Sequence, residues 1–144
     1  MFDKILLPTD GSEVAFGAAE RAAALAKLAG AALHVVFVRE PYPYSGIGEA
    51  NSAGLQDYLG ASQRTATQAL ARISALAQGP GVSVTTEIAE STSPAEEIVE
   101  AARRCGADVI VMGSHGRTGV ARVLLGSVAG KVLMLAPMPV MIVK

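Results

Sequence analysis

The chain has 144 residues, of which 51% are hydrophobic and 17% are charged, and its formal net charge is −1. This length suits one domain that buries a substantial core. The balanced charge and the scattered Lys and Arg residues argue against a nucleic-acid partner, because binding to a phosphate backbone needs clustered positive charge.

The hydropathy pattern and the cysteine content indicate where in the cell the protein is expected to act. No apolar run reaches the roughly 18 residues that span a bilayer, so we expect no membrane partner. The chain opens on a strand pattern without the basic and long apolar regions of a signal peptide, which predicts a cytoplasmic protein. The single cysteine, Cys105, excludes an intramolecular disulfide and is interpreted as a packing residue at a helix end.

The first elements form a strand–helix–strand pattern. Asp3–Leu7 is a short predicted strand that Pro8 ends, because proline cannot donate to a ladder. The turn that follows leads into a helix with Ser12 as its N-cap and Gly30 as its C-terminal glycine. Leu33–Val38 is a continuous apolar and β-branched run, typical of a parallel strand covered on both faces.

A long loop and a second helix come next. Pro41–Gly54 is rich in Pro, Gly and Ser, which predicts a functional or partly mobile loop. Its Tyr42 and Tyr44 are interpreted as packing residues, with a lid over a ligand as the alternative. Leu55–Gln78 returns to helical spacing, and its candidate core residues are Leu55, Leu59, Ala66, Leu70, Ile73 and Leu76.

The third strand and third helix follow. Val82–Ile88 alternates between apolar and polar residues, which predicts a strand near a sheet edge. Ser93-Pro94-Ala95-Glu96 predicts a capping box with proline in the first turn, and the helix it starts ends at Gly106.

The last elements complete the fold prediction. Ala107–Met112 is the fourth strand, Ser127–Ala136 the last helix and Val140–Val143 the fifth strand. Alternating strands and helices predict an α/β fold, a single-domain open parallel five-stranded sheet sandwiched by helices, Rossmann-like in architecture. Ligands of such sheets bind at the carboxyl ends of the strands, where the strand order reverses.

The most informative stretch follows the fourth strand. It carries two glycines three residues apart, then nine residues, and then Gly-Ser at the start of a helix. Glycine lets backbone N–H groups approach a ligand without a Cβ and permits a positive φ. Ser127, at the predicted N-cap, adds a hydroxyl and the positive end of a helix dipole, which favour an anion. Gly113, Gly116 and Gly126 are each ordinary turn glycines when taken singly, but together they predict a phosphate-binding loop.

Two common nucleotide-binding motifs do not fit. Gly126-Ser-Val-Ala-Gly130-Lys131 has three residues between its glycines where the P-loop has four, and Val132 replaces the metal-binding Ser or Thr. The dinucleotide fingerprint G-x-G-x-x-G is missing after the first strand.

A family resemblance rests on three motifs. The spacing G-x-x-G-x9-G-[ST], the Pro-Thr-Asp-Gly-Ser that ends strand one and the final Pro-Val-Met-Ile-Val resemble the universal stress protein family. The resemblance covers essentially the whole chain, so residues 1–144 are expected to form one nucleotide-binding domain. It implies the fold class of adenine nucleotide α-hydrolases and, in the branch that keeps these glycines, binding of ATP, with Mg²⁺ held through its phosphates.

The same resemblance assigns site residues. Pro8, Thr9 and Asp10 would line the adenosine end, and Val38 would contact the adenine. The remaining residues would wrap the ribose and the phosphates: Met112, Gly113, Ser114, His115, Gly116, Arg117, Thr118, Gly126, Ser127 and Val128.

Several of these side chains allow a second interpretation. Asp10 can accept hydrogen bonds from ribose or adenine, or form a turn by bonding the backbone near Ser12. His115 could bind phosphate or face solvent, and Arg117 is better placed than Arg122 to reach a phosphate. His34 is interpreted as a buried or edge histidine with a satisfied ring, and the chain offers no metal-ligand spacing of its own.

Three classes of function remain to be compared. The favoured one is a nucleotide-dependent regulatory module of the stress response, without catalytic residues. A slow ATPase or phosphotransferase at the same site is the alternative, since hydrolysis needs a positioned base and a charge clamp for which only His115, Asp10 and Arg117 are available. A phospho-receiver is disfavoured, because the required acidic pair and aspartate are missing. The apolar last strand and the family resemblance predict a homodimer through Val140–Val143.

Overall fold

The structure, a computed structural model, describes residues 1–41, 52–79, 81–115 and 125–144. Strands and helices alternate along the chain, and the nine elements are β1 (Lys4–Thr9), α1 (Glu13–Ala29), β2 (Ala32–Arg39), α2 (Ser52–Gln78), β3 (Val84–Glu90), α3 (Pro94–Cys105), β4 (Val109–Gly113), α4 (Ser127–Leu135) and β5 (Val140–Val143).

The five strands form one parallel sheet in the order β3-β2-β1-β4-β5. The predicted open parallel sheet is therefore confirmed, with β3 and β5 at its edges. The strand order reverses between β1 and β4, so the carboxyl ends of these two strands form the switch point where such sheets bind ligands.

Helices cover both faces of the sheet. Successive strand residues point to opposite faces, so the run Ile5-Leu6-Leu7 serves both, and all three side chains are fully buried. Ile5 and Leu7 pack with α1 and α2, whereas Leu6 packs with α3 and α4. Among the described residues, no helix is apolar over a length that could cross a membrane.

Pro8 lies inside β1, which corrects the prediction that it ends the strand. The carbonyl of Lys4 accepts from the N–H of Asp108 on the β4 side, and alternate residues of a strand point their backbone polar groups the same way. Pro8 therefore faces β4 as well, but the pairing of β1 with β4 ends at Leu6. A missing N–H removes no ladder bond at that position.

Both predicted C-terminal glycines are confirmed. Gly30 ends α1 with φ 68° and Gly106 ends α3 with φ 72°, a left-handed conformation that glycine adopts without strain. The N-cap of α1 is also confirmed, since the Ser12 hydroxyl accepts from the N–H of Ala15 at 3.2 Å.

The second helix differs from its prediction in two respects. It begins at Ser52, so the end of the predicted Pro41–Gly54 loop is helical. Ala66, Leu70 and Ile73 are buried as expected, but Leu59 is 38% exposed. Helical spacing alone does not reveal which turns of a helix lie against the sheet.

The predicted start of α3 is confirmed, with Ser93 at the N-cap and Pro94 in the first turn, but two details of the predicted helix caps are wrong. The Ser93 side chain makes no cap hydrogen bond, and its own N–H is bonded to the Ser91 hydroxyl at 3.0 Å, so the capping box does not form. In α4 the N-cap is Gly126, and Ser127 is already the first helical residue.

Candidate functional site

The turn after β1 is built by two site residues. The Thr9 hydroxyl accepts from the N–H of Gly11 at 3.1 Å, and the Asp10 carboxylate accepts from the N–H of Ser12 at 2.9 Å. Gly11 has φ 83°, which suits a residue without a Cβ. The turn-forming interpretation of Asp10 is thus confirmed, and one of its oxygens is fixed at the carboxyl end of β1.

Ser114 joins three elements just beyond β4. Its N–H donates to the carbonyl of Val143 in β5 at 3.0 Å, and its carbonyl accepts from the N–H of Gly126 at 2.7 Å. We call this pair of hydrogen bonds the Ser114 clamp. The clamp holds the end of β4 and the start of α4 together. Ser114 is only 5% exposed, so these hydrogen bonds are shielded from solvent.

The clamp explains why residue 126 is a glycine. A Cβ there would lie 2.7 Å from the Ser114 carbonyl oxygen and 3.4 Å from the His115 Cα. Gly126 has φ −59° and Gly113 also lacks a positive φ, so neither position uses the positive φ that glycine permits. Glycine is required at 126 for close backbone approach.

His115 leaves one ring nitrogen without a partner. Its Nδ1 lies 2.9 Å from the Ser114 hydroxyl oxygen. Its Nε2 is shielded from solvent and has no hydrogen-bond partner among the residues that the structure describes. An unsatisfied buried polar atom costs about 1–3 kcal/mol, a cost that a ligand atom bonded to Nε2 would remove.

The N-terminus of α4 adds donors beside the clamp. Gly126 has no side chain to cap the helix, and the exposed Ser127 follows it as the first helical residue. The first N–H groups of a helix lack intrahelical partners and carry the positive end of the dipole, which favours an anion. Val128 packs with its side chain against the α3–α4 core, so it contributes backbone here.

The remaining described site residues line the same edge of the sheet. Pro8 is buried, Val38 lies half-buried at the end of β2, and Met112 lies 6% exposed next to the end of β4. The sequence analysis missed Val14, whose Cγ1 lies 3.2 Å from the place where a Cβ on Gly113 would be. Its position in the first turn after the Asp10 turn was the available signal.

The structure thus brings one subset of the predicted site together. The β1 turn, the end of β4, the Ser114 clamp and the start of α4 share the carboxyl edge at the switch point. Six further residues of the sequence analysis lie outside the described residues: Tyr42, Tyr44, Gly116, Arg117, Thr118 and Arg122. Within the described ranges, no three His, Cys, Asp or Glu side chains are grouped to hold a metal ion.

Two residues outside the site behave as predicted. His34 has both ring nitrogens satisfied, by the Thr85 hydroxyl at 2.6 Å and the Glu87 carboxylate at 3.0 Å. Cys105 packs against the α3–α4 core, and burial raises the pKa of its thiol, which disfavours a reactive thiolate.

Comparison with known proteins gives a consistent result over the whole length. The model of the universal stress protein family matches residues 1–144. A universal stress protein of Methanocaldococcus jannaschii is 40% identical over 144 residues, covering 100% of this chain and 83% of that protein.

Solved structures agree with this fold. Universal stress protein UspA from Lactobacillus plantarum has a TM-score of 0.86 at 27% identity, covering 99% of this chain and 97% of that one. The universal stress protein from Archaeoglobus fulgidus, solved in complex with dAMP, has a TM-score of 0.65 at 24% identity. This similarity covers 100% of this chain and 98% of that one. At that identity the second likeness shows the fold alone.

Proposed function

Because this chain belongs to the universal stress protein family, we propose that it is an ATP-binding regulatory module of the stress response. ATP would bind at the carboxyl edge of the sheet, and its occupancy would change the shape or the partner choice of the protein. A cytoplasmic location stays a prediction.

One observation carries the proposal: the unpartnered Nε2 of His115 lies in the segment that the Ser114 clamp holds against the start of α4. A phosphate oxygen is a strong acceptor, and a hydrogen bond to it would satisfy the buried nitrogen. The first N–H groups of α4, which lack intrahelical partners, favour the same negative charge. The chemistry of this donor set therefore fits a phosphate group.

Different elements of the fold are proposed to hold different parts of the nucleotide. The turn at Thr9 and Asp10 and the half-buried Val38 would hold the adenosine end. Residues 113–115 and 126–128 would hold the ribose and the phosphates, and the assignment of Gly116, Arg117 and Thr118 rests on the family resemblance. Mg²⁺ would be bound through the phosphates. Because a universal stress protein of this fold has been solved with dAMP, adenine nucleotides are the first class to test.

The first test is calorimetric titration of the protein with ATP. His115→Ala should weaken binding about 10- to 100-fold, the value of one hydrogen bond to a charged group. His115→Gln should retain more affinity, because its amide nitrogen can take the place of Nε2. His34→Ala is the matched control, since that ring lies near the amino end of β2, away from the carboxyl edge of the sheet, and should leave affinity unchanged.

Equal affinity of His115→Ala and the unmutated protein would contradict the phosphate assignment, and no binding of ATP at all would contradict the proposed function. A single-turnover assay decides between binding and slow hydrolysis. We expect bound ATP to be recovered intact, because one Asp10 oxygen already accepts from the Ser12 backbone and is committed to the turn.

We also propose that the protein forms a homodimer through β5. This strand is a sheet edge, and its Met141 is 41% exposed. The neighbouring α4 exposes further apolar side chains, with Met134 at 85%. An open apolar edge favours pairing with its own copy.

A further inference from the structure

Three side chains form a linear hydrogen-bonded array near the β3 edge, away from the proposed nucleotide site. The Thr85 hydroxyl oxygen lies 2.6 Å from Nδ1 of His34, and Nε2 of the same ring lies 3.0 Å from the Glu87 carboxylate. His34 and Thr85 are register partners on β2 and β3, and Glu87 follows two residues along β3 on the same face. The backbone register therefore sets this alignment.

The proton positions in the array follow from the carboxylate. Partial burial raises the pKa of Glu87, but hydrogen bonds from His34 and Arg104 and the charge of Arg104 outweigh it, so the pKa lies below its usual value. The ionised carboxylate only accepts, so Nε2 of His34 donates to it. In the neutral ring Nδ1 then carries the lone pair, and the Thr85 hydroxyl must donate to Nδ1.

Arg104 holds the Glu87 carboxylate from the side opposite His34 in the hydrogen-bond network. Arg104 on α3 bonds Glu87 and, at 2.7 Å, also Glu97. The His34 side chain is only 11% exposed, whereas Thr85 is exposed. The base is therefore held and desolvated, while the hydroxyl that it faces is open to a reactant.

We propose that Thr85 is a nucleophilic hydroxyl that accepts acyl groups from small activated esters, with His34 as its general base. Glu87 is the positioning residue that holds His34 in the required tautomer. The order of hydroxyl, imidazole and carboxylate is that of nucleophilic acyl transfer. The proposal does not rest on the nucleotide site.

The step conserves atoms and charge. The Thr85 oxygen attacks the ester carbonyl carbon and forms a new C–O bond, while its proton moves to Nδ1 of His34. The bond from the carbonyl carbon to the leaving alkoxide or phenoxide breaks, and the leaving group departs with the electron pair. The imidazolium, hydrogen-bonded to Glu87, then releases its proton to solvent.

The test uses p-nitrophenyl acetate as the acyl donor and peptide mass spectrometry to locate the acetyl group. We expect acetylation of Thr85, with release of one p-nitrophenolate per acetyl group. Thr85→Ala should abolish labelling in this peptide, and Thr85→Ser should retain it. His34→Gln should slow acetylation about 100-fold, the lower range for loss of a general base.

Thr86 provides a matched control in the same strand. It is also exposed, but it faces the opposite side of the sheet, where it lines a groove with Thr67 and Leu70 of α2. Thr86→Ala should therefore leave labelling unchanged. Acetylation of Thr86 at the rate of Thr85, no acetylation of Thr85, or a rate that is unaffected by His34→Gln would each overturn the proposal.

The role of Glu87 has its own readout. Glu87→Gln places an amide donor against Nε2, which favours the tautomer with the proton on Nδ1 and removes the base. Nitrogen NMR of the His34 ring should show this tautomer change together with a loss of Thr85 acetylation. An unchanged tautomer with full acetylation would overturn the positioning role.

Discussion

Gly126 illustrates how a residue can serve a site through the backbone alone. The sequence identifies it as a position where a ligand approaches bare main chain, and the structure gives a more immediate reason. The Ser114 carbonyl already occupies the space that a Cβ would need. The glycine is therefore required for the local structure before any ligand binds.

This close approach predicts a stability difference between two glycine substitutions. Gly126→Ala should lower the free energy of unfolding by about 1–3 kcal/mol, the usual cost of overpacking. Gly17 in α1 is the control, because a Cβ there meets nothing within 4 Å. Gly17→Ala should raise stability by about 1 kcal/mol through helix propensity. Urea denaturation of both variants measures the difference, and equal effects would contradict the assigned role of Gly126.

Single residues of the site were predictable only where local rules decide them. Asp10 in a turn that follows a strand is a local pattern, and its bond to the Ser12 backbone follows from it. His115 required tertiary information, because a sequence does not show whether a ring nitrogen in a loop is shielded from solvent. The position of Val14 after the Asp10 turn placed it near the site, but its approach to Gly113 required tertiary information.

At the scale of elements, β3 is held in the fold by side-chain ion pairs as well as by the backbone hydrogen bonds of the sheet. Glu87 connects it to His34 on β2 and to Arg104 on α3. An edge strand is paired on one side only, so such side-chain contacts matter more there than in a central strand.

The contacts of Glu87 predict that the protein loses stability in acid. Burial opposes but does not cancel the hydrogen bonds and charge that keep the folded-state pKa of Glu87 below its ordinary value of 4.5. The resulting stabilisation is present above that value and is lost as the pH falls through the folded-state pKa. Denaturation curves between neutral and acid pH should therefore show a shallower decline for Glu87→Gln. An identical decline in both proteins would refute this contribution.

Helix ends were more predictable than the side-chain bonds that cap helix starts. Gly30 and Gly106 act through their own φ, which is a local property. An N-cap depends on the direction from which the chain arrives. Ser93 is drawn into a turn with Ser91, and the clamp places Gly126 in the cap position that Ser127 was expected to occupy. The continuation of β1 through Pro8 was likewise not predictable, because proline is tolerated there only since the pairing of β1 with β4 has already ended at Leu6.

At the scale of the molecule, the alternation of elements was sufficient to predict the parallel sheet. Right-handed crossovers and apolar strands leave few other arrangements. The order β3-β2-β1-β4-β5 gives the two edges different characters, since β3 is polar and fastened by charge whereas β5 is apolar. That asymmetry directs the expected self-association to β5.

Self-association through β5 can be tested with a single charge. At micromolar concentration the protein should have a dimeric mass in solution scattering. Met141→Lys should shift it to the monomer, because a lysine on an edge strand opposes pairing. Leu28→Lys is the control, since Leu28 is 86% exposed at the far end of α1 and should leave the mass unchanged. A monomeric mass for the unmutated protein would refute the dimer.

The Ser114 clamp has a consequence for how such a protein can change over evolution. Both of its hydrogen bonds join main-chain atoms, and one of them ends on Val143, next to the last residue. The contacts at Ser114, Gly126 and Val143 therefore do not depend on which polar side chains these positions carry. Substitution elsewhere can thus leave these two hydrogen bonds intact, whereas any side chain at Gly126 would meet the Ser114 carbonyl oxygen.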